Sequence, residues 1–102
     1  MYNIDMDNIT FDWDSRKASL NEKKHCISFD EAKTVFFDEH AKVIHDPDHS
    51  DIEERYIILG MSSVTRVLVI CHCYREDDQV IRIISARKAS RTETRQYKGN
   101  YQ

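Results

Sequence analysis

Hydrophobic and polar positions along the chain change period several times, and each change marks an element. Ile9-Thr10-Phe11-Asp12-Trp13 alternates apolar and polar, the period-two pattern of a short half-buried strand. Asp14 or Ser15 then stands where a helix needs its N-cap. The segment from there to about His25 carries Ala18 and Leu20 among many polar residues, which predicts a surface helix. Ser28-Phe29-Asp30-Glu31 is a capping box, in which the serine hydroxyl and the glutamate carboxylate satisfy each other's free backbone donors. Phe29, Ala32, Val35 and Phe36 recur at helical spacing, so a second helix is predicted from about 29 to 38.

Four strand-like segments follow: Ala41 to His45, Arg55 to Ser62, Arg66 to Arg75, and Val80 to about Arg87. Val-Leu-Val-Ile at 67–70 and Ile-Ile at 83–84 are apolar on both faces, which marks the last two as central strands. Asp46-Pro47-Asp48 and Glu76-Asp77-Asp78 carry turn chemistry, and the second predicts an antiparallel hairpin with a three-residue turn. Ser90-Arg91-Thr92-Glu93 is another capping box, opening a short basic C-terminal helix. The order strand, two helices, four-strand meander, helix predicts an α+β fold with helices packed on an antiparallel sheet of about four to five strands.

The 102 residues fit a single domain over 1–102, and a composition 40% hydrophobic and 32% charged is that of an ordinary globular domain. The acidic, polar start MYNIDMDNITFDWD does not resemble a signal peptide, and no apolar run approaches the ~20 residues that span a bilayer, so no membrane role and a cytoplasmic location are expected. Cys26, Cys71 and Cys73 are then expected as free thiols, with Cys71 and Cys73 on one strand face and His72 on the other. The net charge of −3 conceals an asymmetry: residues 82–98 hold six basic side chains against Glu93 alone, for a local +5, and residues 1–81 carry −8. Such a tract fits either a focused site for phosphate or an acidic partner, or a solvated terminal helix.

Absent motifs narrow the chemistry. Gly60 and Gly99 are the only glycines, which leaves no phosphate-cradling loop or dinucleotide fingerprint. His40, His45 and His49 with Asp46 and Asp48 do not share a helical face or a zinc spacing, so no metal site and no cofactor are expected. The hairpin offers the best constellation. If Arg75 pairs with Gln79, His72 faces Arg82 and Arg66 faces Lys88, all on one face with Leu68, Ile70, Val80, Ile84 and Ala86. Val67, Val69, Cys71, Cys73, Ile81 and Ile83 then form the face expected to pack on the helices. A histidine between arginines on an open face suits phosphodiester cleavage, because an imidazole moves protons and guanidinium groups stabilise charge without a metal. The alternative is structural pairing of His72, with Arg82 extended to solvent.

FDWDSRKASLNEKKHCISFDEA at 11–32 resembles the opening of BrnT toxins, DPDHSDIEERYIILGMS at 46–62 their middle block, and LVICHCYR at 68–75 with IRIISARKASRTETRQY at 81–97 their end. Cys26 stands where that family commonly has glycine. The resemblance implies a RelE-like α+β fold with helices on a curved antiparallel sheet. It also implies a metal-independent ribonuclease toxin that cleaves RNA by 2′-hydroxyl attack and arrests translation. The implied partners are RNA, free or as ribosome-associated mRNA, and a cognate antitoxin through which DNA is met only indirectly. On this resemblance His72 is assigned proton transfer, Arg82 and Arg87 phosphate stabilisation, and Glu54 the reserve base. Arg66, Lys88 and Arg91 are assigned to flanking phosphates, and Tyr97 to stacking on a base or orienting the substrate. Trp13 and His25 also match, the first as a core anchor and the second as a helix-end cation. A non-catalytic binding module is the rival reading. A DNA-binding regulator fits poorly, since residues 1–81 are acidic and no helix-turn-helix is recognisable.

Overall fold

The computed structural model describes residues 9–46, 53–77 and 79–99. Strand β1 (Thr10–Asp12) leads into helix α1 (Ser15–His25), whose N-cap Asp14 accepts from the backbone N–H of Arg16 and Lys17. The helix ends at Cys26, which sits at φ 60° where glycine is the usual solution. Helix α2 (Phe29–Thr34) passes into a 3-10 turn (Val35–Phe37), so the predicted second helix forms but tightens in its last turn. Its Ser28 hydroxyl accepts from Glu31 N–H as predicted, while the Glu31 carboxylate turns instead to Ser62 and Arg66.

Strands β2 (Lys42–His45), β3 (Tyr56–Met61), β4 (Val67–Arg75) and β5 (Val80–Lys88) form the predicted meander, and helix α3 (Arg91–Gly99) closes the described chain. The sheet order is β1-β5-β4-β3-β2. All pairs are antiparallel except β1 with β5, which is parallel, so the sheet is mixed rather than wholly antiparallel. The chain leaves β1, crosses two helices and three antiparallel strands, and only β5, the fourth strand after β1, returns beside it. The α3 capping box is complete, with Ser90 Oγ accepting from Glu93 N–H and Glu93 accepting from Ser90 N–H.

The main core lies between α1, α2 and one sheet face. Ile27, Phe29, Ala32, Val35 and Phe36 pack there on Ile58, Leu68, Ile70, Ile81, Ile83 and Ala86, with Trp13 edge-on to Phe29. A smaller cluster of Leu59, Val69 and Tyr97 lies under α3 on the other face. Side chains extend both sheet edges where the outer strands stop. Beyond β1, the buried Asn21 amide bonds Ala86 through both its N–H (3.1 Å) and its carbonyl (2.9 Å) and also reaches Ile27 O (3.1 Å). Beyond β2, the Asp38 carboxylate accepts from Met61 N–H at 2.8 Å and from the Tyr97 hydroxyl at 2.7 Å. Both supply partners that an unpaired strand would otherwise lack.

The hairpin register differs from expectation, with consequences for the site. Arg75 pairs with Val80, so the loop spans four residues rather than three, and Glu76 and Asp77 both take positive φ. That shift pairs Arg82 with Cys73, and His72 with Ile83. Because directly opposed residues share a face, a one-residue slip moves His72 and Arg82 to opposite sides. A bulge between Cys71 and His72 shifts the register once more.

Candidate active site on the open sheet face

The face away from α1 and α2 gathers arginines from β4, β5 and the residue just before β3, each beside a carboxylate. Arg82 on β5 donates to Asp12 at 2.5 Å, directly across the parallel β1 register. Arg75 at the end of β4 donates to Glu53 at 3.1 Å, and the Arg55 Nε lies 3.7 Å from the same carboxylate. That Arg55 Nε is buried without a hydrogen-bond acceptor among the described residues. Arg87 makes a bidentate pair with Glu93 of α3 at 2.8 and 2.9 Å. This guanidinium holds Glu93 down at about 2, and the carboxylate raises Arg87 in turn. All four guanidinium groups remain partly open to solvent.

Cys71 and Cys73 lie beneath this cluster. Burial pushes both thiols up, so they stay protonated and are poor nucleophiles. Just past Glu53, the exposed Glu54 carboxylate makes a short contact with His45 Nε2. The His45 ring stands edge-on to Tyr56, 5.5 Å between centroids. Register places this pair on the other side of the sheet from the arginines: His45 lies opposite Tyr56 and Tyr56 opposite His72, at the outer edge of the helix-covered face.

The structure divides the residues singled out from the sequence. Arg82 and Arg87 share the open face, whereas Glu54 contacts His45 on the edge of the opposite, helix-covered face. His72 is off the open face too: it is fully buried among Phe36, Tyr56 and Tyr74, with Nε2 3.0 Å from the Tyr74 hydroxyl and Nδ1 3.3 Å from Ile70 O. Burial lowers its pKa to about 4, so it is a neutral core residue at pH 7. The expected open face is in fact the covered one, since Leu68, Ile70 and Ala86 pack on the helices. Arg66 lies with Glu31, donating from Nε at 3.0 Å, and so serves the α2 side of the sheet. Lys88, opposite Leu68, is exposed on that side too. Arg91 is exposed at the start of α3. Tyr97 is not free to stack on a base, because it is 2% exposed with its hydroxyl on Asp38.

Sequence reasoning missed Arg55 and Arg75, and it named Glu54 and His45 separately without their contact. Only the basic tract at 82–98 stood out by charge, and Arg55 and Arg75 join Arg82 through pairing that depends on register. Among the described residues no three His, Cys, Asp or Glu side chains converge as metal ligands. Of the histidine-aspartate turn weighed from sequence, Asp48 and His49 lie outside the described residues.

No curated protein matches the chain. A solved structure, the Brucella abortus ribonuclease toxin BrnT, superposes with a TM-score of 0.63 at 22% identity, covering 81% of this chain and 99% of that one. At that identity the likeness establishes the fold. The profile of the family described as the ribonuclease toxin BrnT of type II toxin–antitoxin systems matches residues 13–93. With four-fifths of its length inside that match, the chain belongs to the BrnT family of ribonuclease toxins.

Proposed function

We propose that this chain is an endoribonuclease toxin acting in the cytoplasm. It cleaves RNA, free or ribosome-bound, arrests translation, and is neutralised by a cognate antitoxin that carries the DNA contact. The observation that carries the reading is the row of arginines on the open sheet face of a BrnT-family chain. In this reading the ribose 2′-hydroxyl attacks the adjacent phosphorus and passes its proton to solvent as its oxygen bonds. The bond to the 5′-oxygen breaks, leaving a 2′,3′-cyclic phosphate, and that oxygen takes a proton from solvent, with Glu54 the reserve base. Arg82 and Arg87, with Arg55 and Arg75, stabilise the charge that builds on the phosphate, a task guanidinium groups perform without a metal ion. Arg91, exposed at the start of α3, holds a flanking phosphate.

One observation favours the rival reading of a non-catalytic binding module: Arg75, Arg82 and Arg87 are hydrogen-bonded to carboxylates of the same chain. The two readings part in a growth experiment. Expressed alone as soluble protein, the chain arrests bacterial growth, and co-expression with its neighbouring gene restores it. Unimpaired growth at verified soluble expression favours the binding module.

A further inference from the structure

Between α3 and the open face lies a cavity of about 140 Å³, well below the ~300 Å³ at which clefts for whole small molecules begin. Ile57, Leu59 and Val69 form its apolar floor, and Ile44 of the edge strand forms a wall. Its rim is polar: Lys42, Gln96 and the Arg87–Glu93 pair. The bidentate contact fixes the plane of the Arg87 guanidinium, a flat cationic surface of the kind on which bases stack. Glu93 is committed to Arg87 and to Ser90 N–H, whereas the Gln96 amide makes no hydrogen bond among the described residues. An apolar slot sized for one planar ring, with an unused donor and acceptor at its mouth and cations on either side, suits a nucleotide of an RNA single strand. It is too small for a base pair.

We infer that this cavity is a base-recognition subsite that seats one nucleobase of the RNA strand, and that Gln96 is its specificity-determining residue. The inference rests on the ribonuclease reading and names where its substrate's sequence is read. A glutamine amide pairs its donor and acceptor with the ring nitrogen and amino group of adenine. The larger purine ring also stacks more fully on the Arg87 plane than a pyrimidine does, so adenine is the expected preference. Lys42 meets the phosphate beside the seated base.

The test titrates each of the four nucleoside 3′-monophosphates into the full chain and follows the methyl resonances of Ile44, Ile57, Leu59 and Val69. Adenosine 3′-monophosphate should shift these methyls saturably and bind at least about tenfold tighter than uridine 3′-monophosphate, the scale of one good base contact. Gln96→Leu should erase that difference, and Ile44→Trp, at an exposed edge position, should block binding altogether. Both positions are solvent-facing, so the variants remain folded. Equal binding of the four nucleotides, the same shifts from ribose 5-phosphate, or an unchanged preference in Gln96→Leu overturns the inference. Saturable shifts from N-acetyl-leucine amide with none from nucleotides would assign the cavity to a side chain of a protein partner. Selective binding in this cavity by a protein that cuts no RNA would sink the ribonuclease reading alone. Cleavage without selective binding would sink the subsite alone.

Discussion

Replacing His72 with phenylalanine separates the structural role of this histidine from the catalytic role its sequence context suggested. The buried ring takes a pKa of about 4, against 6.5 when solvated. The folded state therefore resists protonation, and the unfolded chain binds the proton first as pH falls below the solvated value. Stability is full above that value and declines toward the folded pKa. The linkage relation gives a loss of about 2 kcal/mol between pH 7 and pH 5, and about 3 kcal/mol by pH 4. Carboxylates act lower: hydrogen bonding to Arg87 holds Glu93 down at about 2, and Arg66 lowers Glu31, so their contributions fail only below the ordinary carboxylate range. Urea unfolding at pH 7 and pH 5, followed by fluorescence of the single tryptophan Trp13, isolates the histidine. His72→Phe keeps an aromatic ring among Phe36, Tyr56 and Tyr74 and gives up the Tyr74 hydrogen bond, at a cost of about 1 kcal/mol at pH 7. Its stability should be flat between the two pH values while RNA cleavage persists. A parent protein equally stable at both values, or a well-folded His72→Phe that cuts RNA a hundredfold more slowly, refutes the reasoning.

Other residues make sharper demands on the fold. Asn21→Ala leaves Ala86 N–H and two buried carbonyls without partners and should cost about 2–4 kcal/mol in urea unfolding, with little direct effect on the open face. At Gly60 an added Cβ would stand 2.8 Å from both Ala41 Cβ and Val35 Cγ1, so Gly60→Ala should lower stability by about 1–3 kcal/mol; an unchanged denaturation midpoint would show that the 3-10 turn yields.

Much of the fold was legible in the sequence because local signals agreed. Capping residues placed the helix starts, turn residues placed the loops, and each strand ended within a residue or so of its expected limit. The parallel pairing of β1 was not legible, since no local pattern distinguishes the direction in which an edge strand returns. The site was half legible. Arg82 and Arg87 stood out by charge, but their companions depended on the hairpin. A four-residue loop in place of three, with a bulge beyond it, turned His72 into the core and left Arg82 outside. Periodicity could not decide between the faces, because Val67 to Ile70 are apolar on both and each face has its own cluster to pack against. Tyr97 shows the same limit: its place in the sequence does not reveal that Asp38, 59 residues earlier, waits for its hydroxyl.

The central claim is that the open arginine face cuts RNA without a metal ion. Its most direct test is cleavage of a defined single-stranded RNA by the purified chain in excess chelator, beside Arg82→Ala. The parent protein should yield 2′,3′-cyclic phosphate ends. Arg82→Ala should be slower by about 10²–10³, the range for removing one transition-state donor. It should unfold nearly as the parent does, because the half-exposed pair with Asp12 is worth at most about 1 kcal/mol. Activity that chelator abolishes and magnesium restores, or an Arg82→Ala protein that cuts as fast as its parent, would contradict the account.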